Sequence, residues 1–256
     1  MNYTLNSRYE QMTLGISVQC ARPVKLRLKV VDAEKPLTSF TNRYKTVNSS
    51  YKFYVRLPMT PKTLDIQLTD DDGSDITNVV RVSNIEKYGL EKRMDEVDFN
   101  SYSVGAFVDF SQRFSFNASY LEPNNYVSEL QDYRIEYLPT IVGQNGRELP
   151  TPARISKSTG RIQVSKKLFK DYTVPMRMAI LLHEFAHFYL NENIDDEVEA
   201  DLNGLLIYLS LGYPRIDGYE AFLQVFETTP TSQNKNRYDI INNFITEFDN
   251  KKFVMY

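Results

Sequence analysis

The sequence predicts an α+β fold: an antiparallel β-sandwich over residues 1–82, a linker or short helix over 83–104, and a mixed domain over 105–256 that ends in helices. Three observations predict it. Apolar and polar residues alternate with period two through the first third, the period of a strand with one wet face. In the last third apolar residues recur three and four apart, as on helices packed against a core. Between these regions lie short alternating runs, two of them joined by a glycine-containing turn.

In "GISVQC" the apolar face is Ile16, Val18 and Cys20; in "VKLRLKV" it is Val24, Leu26, Leu28 and Val30, with Lys25, Arg27 and Lys29 opposite. "YKFYVRL" repeats the alternation through Tyr51, Phe53, Val55 and Leu57, and "TLDIQL" through Leu64, Ile66 and Leu68. Segments rich in Pro, Asn, Ser and Asp separate these runs, the texture of a small antiparallel sandwich. The charged stretch "NIEKYGLEKRMDEV" breaks the pattern, and "VGAFVDFSQRFSF" reads as an apolar helix opening the second domain. "YRIEYLPTI", "ARIS" and "RIQVS" follow as strands, the last two joined by "KSTG", whose Gly160 suits a hairpin turn. Pro175 stands in the first turn of the next helix, where its missing N–H costs nothing. Asp195 or Asp196 caps the helix after that, which stops at Gly212 with Pro214 just beyond. "YEAFLQVFE" and "RYDIINNFITEF" supply two more, the second with Ile240, Ile241, Phe244, Ile245 and Phe248 as a core-facing stripe.

A chain of 256 residues can bury two modest cores. Its net charge of -3 gives no broad attraction to nucleic acid or to an anionic membrane, so neither is an expected partner. The single cysteine, Cys20, rules out a disulfide within the chain and reads as core filler in a strand. The start "MNYTLNSRYE" lacks the features of a signal peptide, and no run approaches the ~18 apolar residues of a membrane span. The expected location is the cytoplasm or an assembly built there. The acidic "DDDGSD" at 70–75 does not have EF-hand spacing and reads as a solvated turn.

Chemistry concentrates in "ILLHEFAHFYLNENIDDEVEAD", residues 180–201, which holds both histidines of the chain. Met178, Ile180, Leu181, Leu182, Phe185, Ala186, Phe188 and Leu190 cover every face of this helix, so it should be buried. Burying His183, Glu184 and His187 with it is costly unless each finds a partner. The two histidines are four apart, so their rings leave one side of the helix with Cβ atoms about 5–6 Å apart. Glu184, turned about 100° from His183, flanks the same point without being forced to bind there. This is the H-E-x-x-H pattern, in which two neutral imidazoles bind zinc and the glutamate is left as a base.

A catalytic zinc takes three protein ligands and a water. With no third histidine and Cys20 remote in sequence, the third ligand must be a carboxylate from "DDEVEAD". Helical phase favours Glu197, with Asp201 one turn on as the acceptor that holds the N–H of His183. Ala200 and Gly204 would let this helix approach its neighbour closely. Only nine residues separate His187 from Glu197, a short connection that leaves Asp196 and Glu199 as alternatives.

These residues resemble the zincin metallopeptidases whose third ligand is a glutamate in an E-x-x-x-D helix after H-E-x-x-H. "HEFAH" and "EVEAD" carry the likeness, with "GRIQVSKKLF" ahead of them, over about residues 105–215. The resemblance implies a zincin-like metallopeptidase domain with a mixed sheet under the active-site helix, Zn2+ held by His183, His187 and Glu197, and peptide hydrolysis with Glu184 as general base. It also implies an edge strand, placed here in "RIQVS", that takes an extended polypeptide substrate by strand addition. A Tyr, His or Arg often stabilises the oxyanion in this family, and Tyr208, Tyr213, Arg215 and Tyr238 are the candidates in this chain. The run "EADLNGLLIYLSLGYPRID" more loosely resembles proteins of the structural gene blocks of crAss-like tailed phages. That likeness implies a virion component, in a ring at the portal or tail, with other virion proteins or further copies of the chain as partners.

Overall fold

A computed structural model describes residues 1–74, 76–93, 97, 102–228 and 231–250. Strands come first: β1 (Asn2–Asn6), β2 (Met12–Cys20), β3 (Val24–Asp32), β4 (Ser39–Val47), β5 (Ser50–Leu57), β6 (Thr63–Asp70) and β7 (Val80–Tyr88). They pair antiparallel in two sheets, β1-β6-β3-β4 and β5-β2-β7. The faces read from the alternation meet in one core, where Ile16 and Val18, Leu26 and Leu28, Phe53 and Val55, and Leu64 and Ile66 are buried together. Cys20, half-buried, packs at its margin.

Three details differ from the alternation read in sequence. β7 carries the β region to Tyr88, past its expected end at residue 82, because the smaller sheet needs a second partner for β2. Of the stretch expected as a linker or helix, residues 83–88 are therefore strand, while 94–96 and 98–101 lie outside the described residues. β4 was not foreseen, since its middle, Asn42 to Thr46, carries polar and aromatic residues on the wet side and only its ends are buried. Tyr51, expected on the inner face of β5, is 41% exposed at the end of its sheet. The acidic run after β6 is a turn in which the Ser74 N–H donates to Asp70 and Asp72 and Gly73 takes φ +90°; Asp75 lies outside the described residues.

The remainder mixes strands and helices: α1 (Tyr102–Asn117), β8 (Asn124–Val127), β9 (Arg134–Leu138), β10 (Ala153–Ile155), β11 (Ile162–Ser165), α2 (Lys166–Phe169), α3 (Val174–Tyr189), α4 (Glu197–Ser210), α5 (Arg215–Thr228) and α6 (Ser232–Asn250). Its sheet runs β10-β11-β9-β8, with β11 parallel to β9 and the other pairs antiparallel. The sheet is mixed, and the strand at its edge is β10 rather than "RIQVS". β11 has a neighbour on each side: β9 occupies one, and the hairpin through Gly160, at φ +66°, folds β10 onto the other.

α3 is the buried helix that its composition demands. Thr173 caps it by accepting from the Met176 N–H at 3.3 Å, and Pro175 sits in the first turn. Arg177, fully buried, donates to the carbonyls of Phe169 (3.0 Å) and Lys170 (2.6 Å) at the end of α2 and of Ser115 (2.6 Å) in the last turn of α1. A cation placed where the carbonyls at two helix ends converge ties α3 to both. Burial lowers its pKa to about 10, so it stays charged at neutral pH.

The β region is joined to the rest through apolar and polar contacts, Val174 of α3 and Phe116 of α1 packing against its core. Arg43 of β4 pairs with buried Asp217 of α5, and Thr38 and Lys35 donate to Phe116 and Asn117 at the end of α1. No helix among the described residues is long and apolar enough to cross a membrane.

The crossing of α3 and α4 is close enough to require glycine. A Cβ on Gly204 would lie 2.9 Å from the His183 nitrogen and 3.0 Å from its Cα, both backbone atoms that cannot yield locally. Gly204→Val should therefore cost about 1–3 kcal/mol of stability. Urea unfolding measures it, and an unchanged midpoint would refute the close crossing.

Candidate metal centre

His183 and His187 leave α3 on the side that meets α4, with their Nε2 atoms 3.2 Å apart. Glu197, the first residue of α4, faces both rings: Oε2 is 3.6 Å from His183 Nε2 and Oε1 is 3.5 Å from His187 Nε2. One donor atom from each of the three lies within 4.8 Å of the other two, a set that can hold a metal ion.

The far nitrogens of the rings decide whether those donors are free to bind. His187 Nδ1 is 2.9 Å from the Ile194 carbonyl, which can only accept, so Nδ1 carries the proton and the Nε2 lone pair faces inward. His183 Nδ1 lies 2.9 Å from Asp201 Oδ1, though at an angle to the ring N–H direction. That contact assigns the same tautomer, so both rings offer Nε2 to a shared point. Asp201 thus stands where helical phase put it. The Ile194 carbonyl has no counterpart in the sequence reading, because a main-chain group leaves no mark in residue type.

The nine-residue connection also separates Glu197 from its alternatives. Asp196 is the cap of α4, its Oδ1 accepting from the N–H groups of Val198 (2.9 Å) and Glu199 (3.0 Å). Glu199 turns back to the loop and accepts from Glu192 N (2.8 Å) and Asn193 N (3.3 Å), which closes the reversal. Asp195 pairs with Lys157 of the β10–β11 turn. Only Glu197 among them points at the histidines.

Glu184 is 9% exposed and is not one of the converging donors. Burial raises its pKa above the usual carboxylate range against the pull of the two histidines. Glu197 behaves oppositely: proximity to His187, and then to His183 and Arg237, holds its pKa down to about 2. For His183, burial works to lower the pKa, but the hydrogen bond and charge of Asp201 more than reverse it.

A cavity of about 220 Å³ opens beside the donors. β10 forms one wall through Ala153 and Ile155, and Phe222 of α5, whose ring stands edge-on to His183, forms the other. None of the residues considered for oxyanion stabilisation lines it. Tyr208 is buried and donates to the Pro214 carbonyl, Tyr213 is buried and accepts from Gln112, Arg215 is exposed, and Tyr238 packs on Tyr219. Arg154 and Lys157 line it from the β10–β11 hairpin, and from α6 so does Arg237. A signal for it existed: Arg237 falls one turn ahead of Ile241 and two ahead of Ile245, a charge in register with a buried apolar stripe.

Comparison of the chain with protein-family models, with curated proteins and with solved structures finds no match. What the centre does must therefore be read from its own residues.

A folded-state site of this kind should stabilise the protein by mass action when its ion is supplied. Adding Zn2+ to metal-free protein is expected to raise the melting temperature, and His187→Ala to abolish the rise. A wild-type protein whose melting ignores Zn2+ would rule the donor set out.

Proposed function

We propose that the protein is a zinc-dependent peptidase and that residues 105–256 form a zincin-like domain around the centre. The observation that carries the reading is the division of labour among four buried or half-buried groups. His183, His187 and Glu197 converge, while Glu184 stands next to them, outside the set and lining the same cavity as the edge strand. Two imidazoles and one carboxylate are a donor set suited to Zn2+ with a position left over.

Zn2+ bound there supplies Lewis acidity and a water acidic enough to react near neutral pH. The chain's own groups do the rest. Glu184, its carboxyl pushed up by burial, is matched to taking a proton from water and returning it to the leaving amine. Among the described residues β10 has a strand neighbour on one side only, so its other side can pair with an extended polypeptide and lay it across the cavity. Phe222 and Ile180 give the cavity an apolar lining, which keeps bulk water away from the reacting bond.

Glu184→Gln tests the assignment. The variant should keep a full equivalent of zinc and lose cleavage of a mixed peptide library by about 10²–10⁴-fold. Cleavage that survives with zinc bound would remove Glu184 from the mechanism. A wild-type protein that holds zinc and cleaves nothing would favour the structural alternative, an assembly or virion protein that keeps the ion to brace its fold.

A further inference from the structure

We infer that Arg237 is a positioning residue of the metal centre: one guanidinium that orients both the third ligand, Glu197, and the carboxylate behind the first histidine, Asp201. The inference rests on the reading that His183, His187 and Glu197 hold zinc.

Arg237 is 7% exposed and Asp201 1%. They meet as a fork, Nε to Oδ2 at 2.7 Å and Nη2 to Oδ1 at 2.9 Å, the paired geometry that fixes a carboxylate plane. The remaining nitrogen, Nη1, lies 3.2 Å from Glu197 Oε2. Glu197 and Asp201 are one turn apart on α4, so a single planar cation spans both.

Two consequences follow for the donors. With both oxygens held by the guanidinium, Asp201 cannot rotate, and its Oδ1 stays against His183 Nδ1; this turns the Nε2 of that ring inward. Arg237 also engages Oε2 of Glu197 and leaves Oε1, the oxygen nearer His187, for an ion. Glu197 is half-exposed at the start of its helix, where an untethered carboxylate would sample solvent-facing rotamers. The guanidinium removes that freedom before an ion arrives. A lysine cannot reproduce this, because its ammonium is a point charge without a fork.

The test compares R237K and R237M with wild type in three measurements. These are zinc affinity by competition with a chromophoric chelator, the visible spectrum of the cobalt-loaded protein, and melting of the metal-free protein. R237M is expected to bind zinc about 10–100-fold more weakly, with R237K between it and wild type, as is typical when a group holding a metal ligand is lost. The cobalt spectrum should change in both, since the coordination by Glu197 changes; a role confined to joining α6 to α4 would shift melting and leave the spectrum alone. Should R237M fail to fold, R237K decides alone. Zinc affinity within twofold of wild type and an unaltered cobalt spectrum would overturn the inference. If the wild-type protein binds no zinc, the reading of the centre itself fails, and this inference falls with it.

Discussion

A helix that is apolar on nearly every face can be buried with four ionisable side chains, Arg177, His183, Glu184 and His187, only if its neighbours bring groups to meet them. α3 sets this constraint, and the second half of the molecule is arranged to satisfy it. α4 comes close enough, over Gly204, to deliver Glu197 and Asp201; the ends of α1 and α2 offer carbonyls to Arg177; the loop after α3 turns the Ile194 carbonyl onto His187. Removing any one of these leaves a polar group buried without its partner, which costs more than the contact itself contributes. The donors converge because the same packing that hides α3 forces them to the one side where partners exist.

How much of this was legible follows from the range over which each feature is encoded. The helix, its Thr173–Pro175 start, the four-residue spacing of the histidines and the phase of Glu197 and Asp201 are local, and local periodicity carried them. The order of strands in a sheet is not local. "ARIS" and "RIQVS" both read as strands, but which one is left at the edge depends on β9 having already taken the other side of β11. Arg237 is distant from Asp201 in the chain, and only its register with Ile241 and Ile245 hinted that it pointed inward. Tyr208 and Tyr213, considered for the oxyanion in its place, follow instead the usual fate of large aromatics, buried against neighbours with their hydroxyls satisfied by carbonyl or amide.

The β region enters the same constraint indirectly. Asp217, buried at the start of α5, takes Arg43 from β4 on one side and the Thr173 hydroxyl, at 3.3 Å, on the other. That one carboxyl links the larger sheet to the cap of α3 and to the helix whose Phe222 walls the cavity. The sheets that contribute no donor therefore still set where two elements of the centre begin.

The fork between Arg237 and Asp201 also dictates when the centre can exist. α6 is the last helix described, so during synthesis the histidines, Glu197 and Asp201 all leave the ribosome before the cation that orients two of them. On the proposed reading, tight capture of an ion would wait for α6 to dock, so that loading would follow translation rather than guide it.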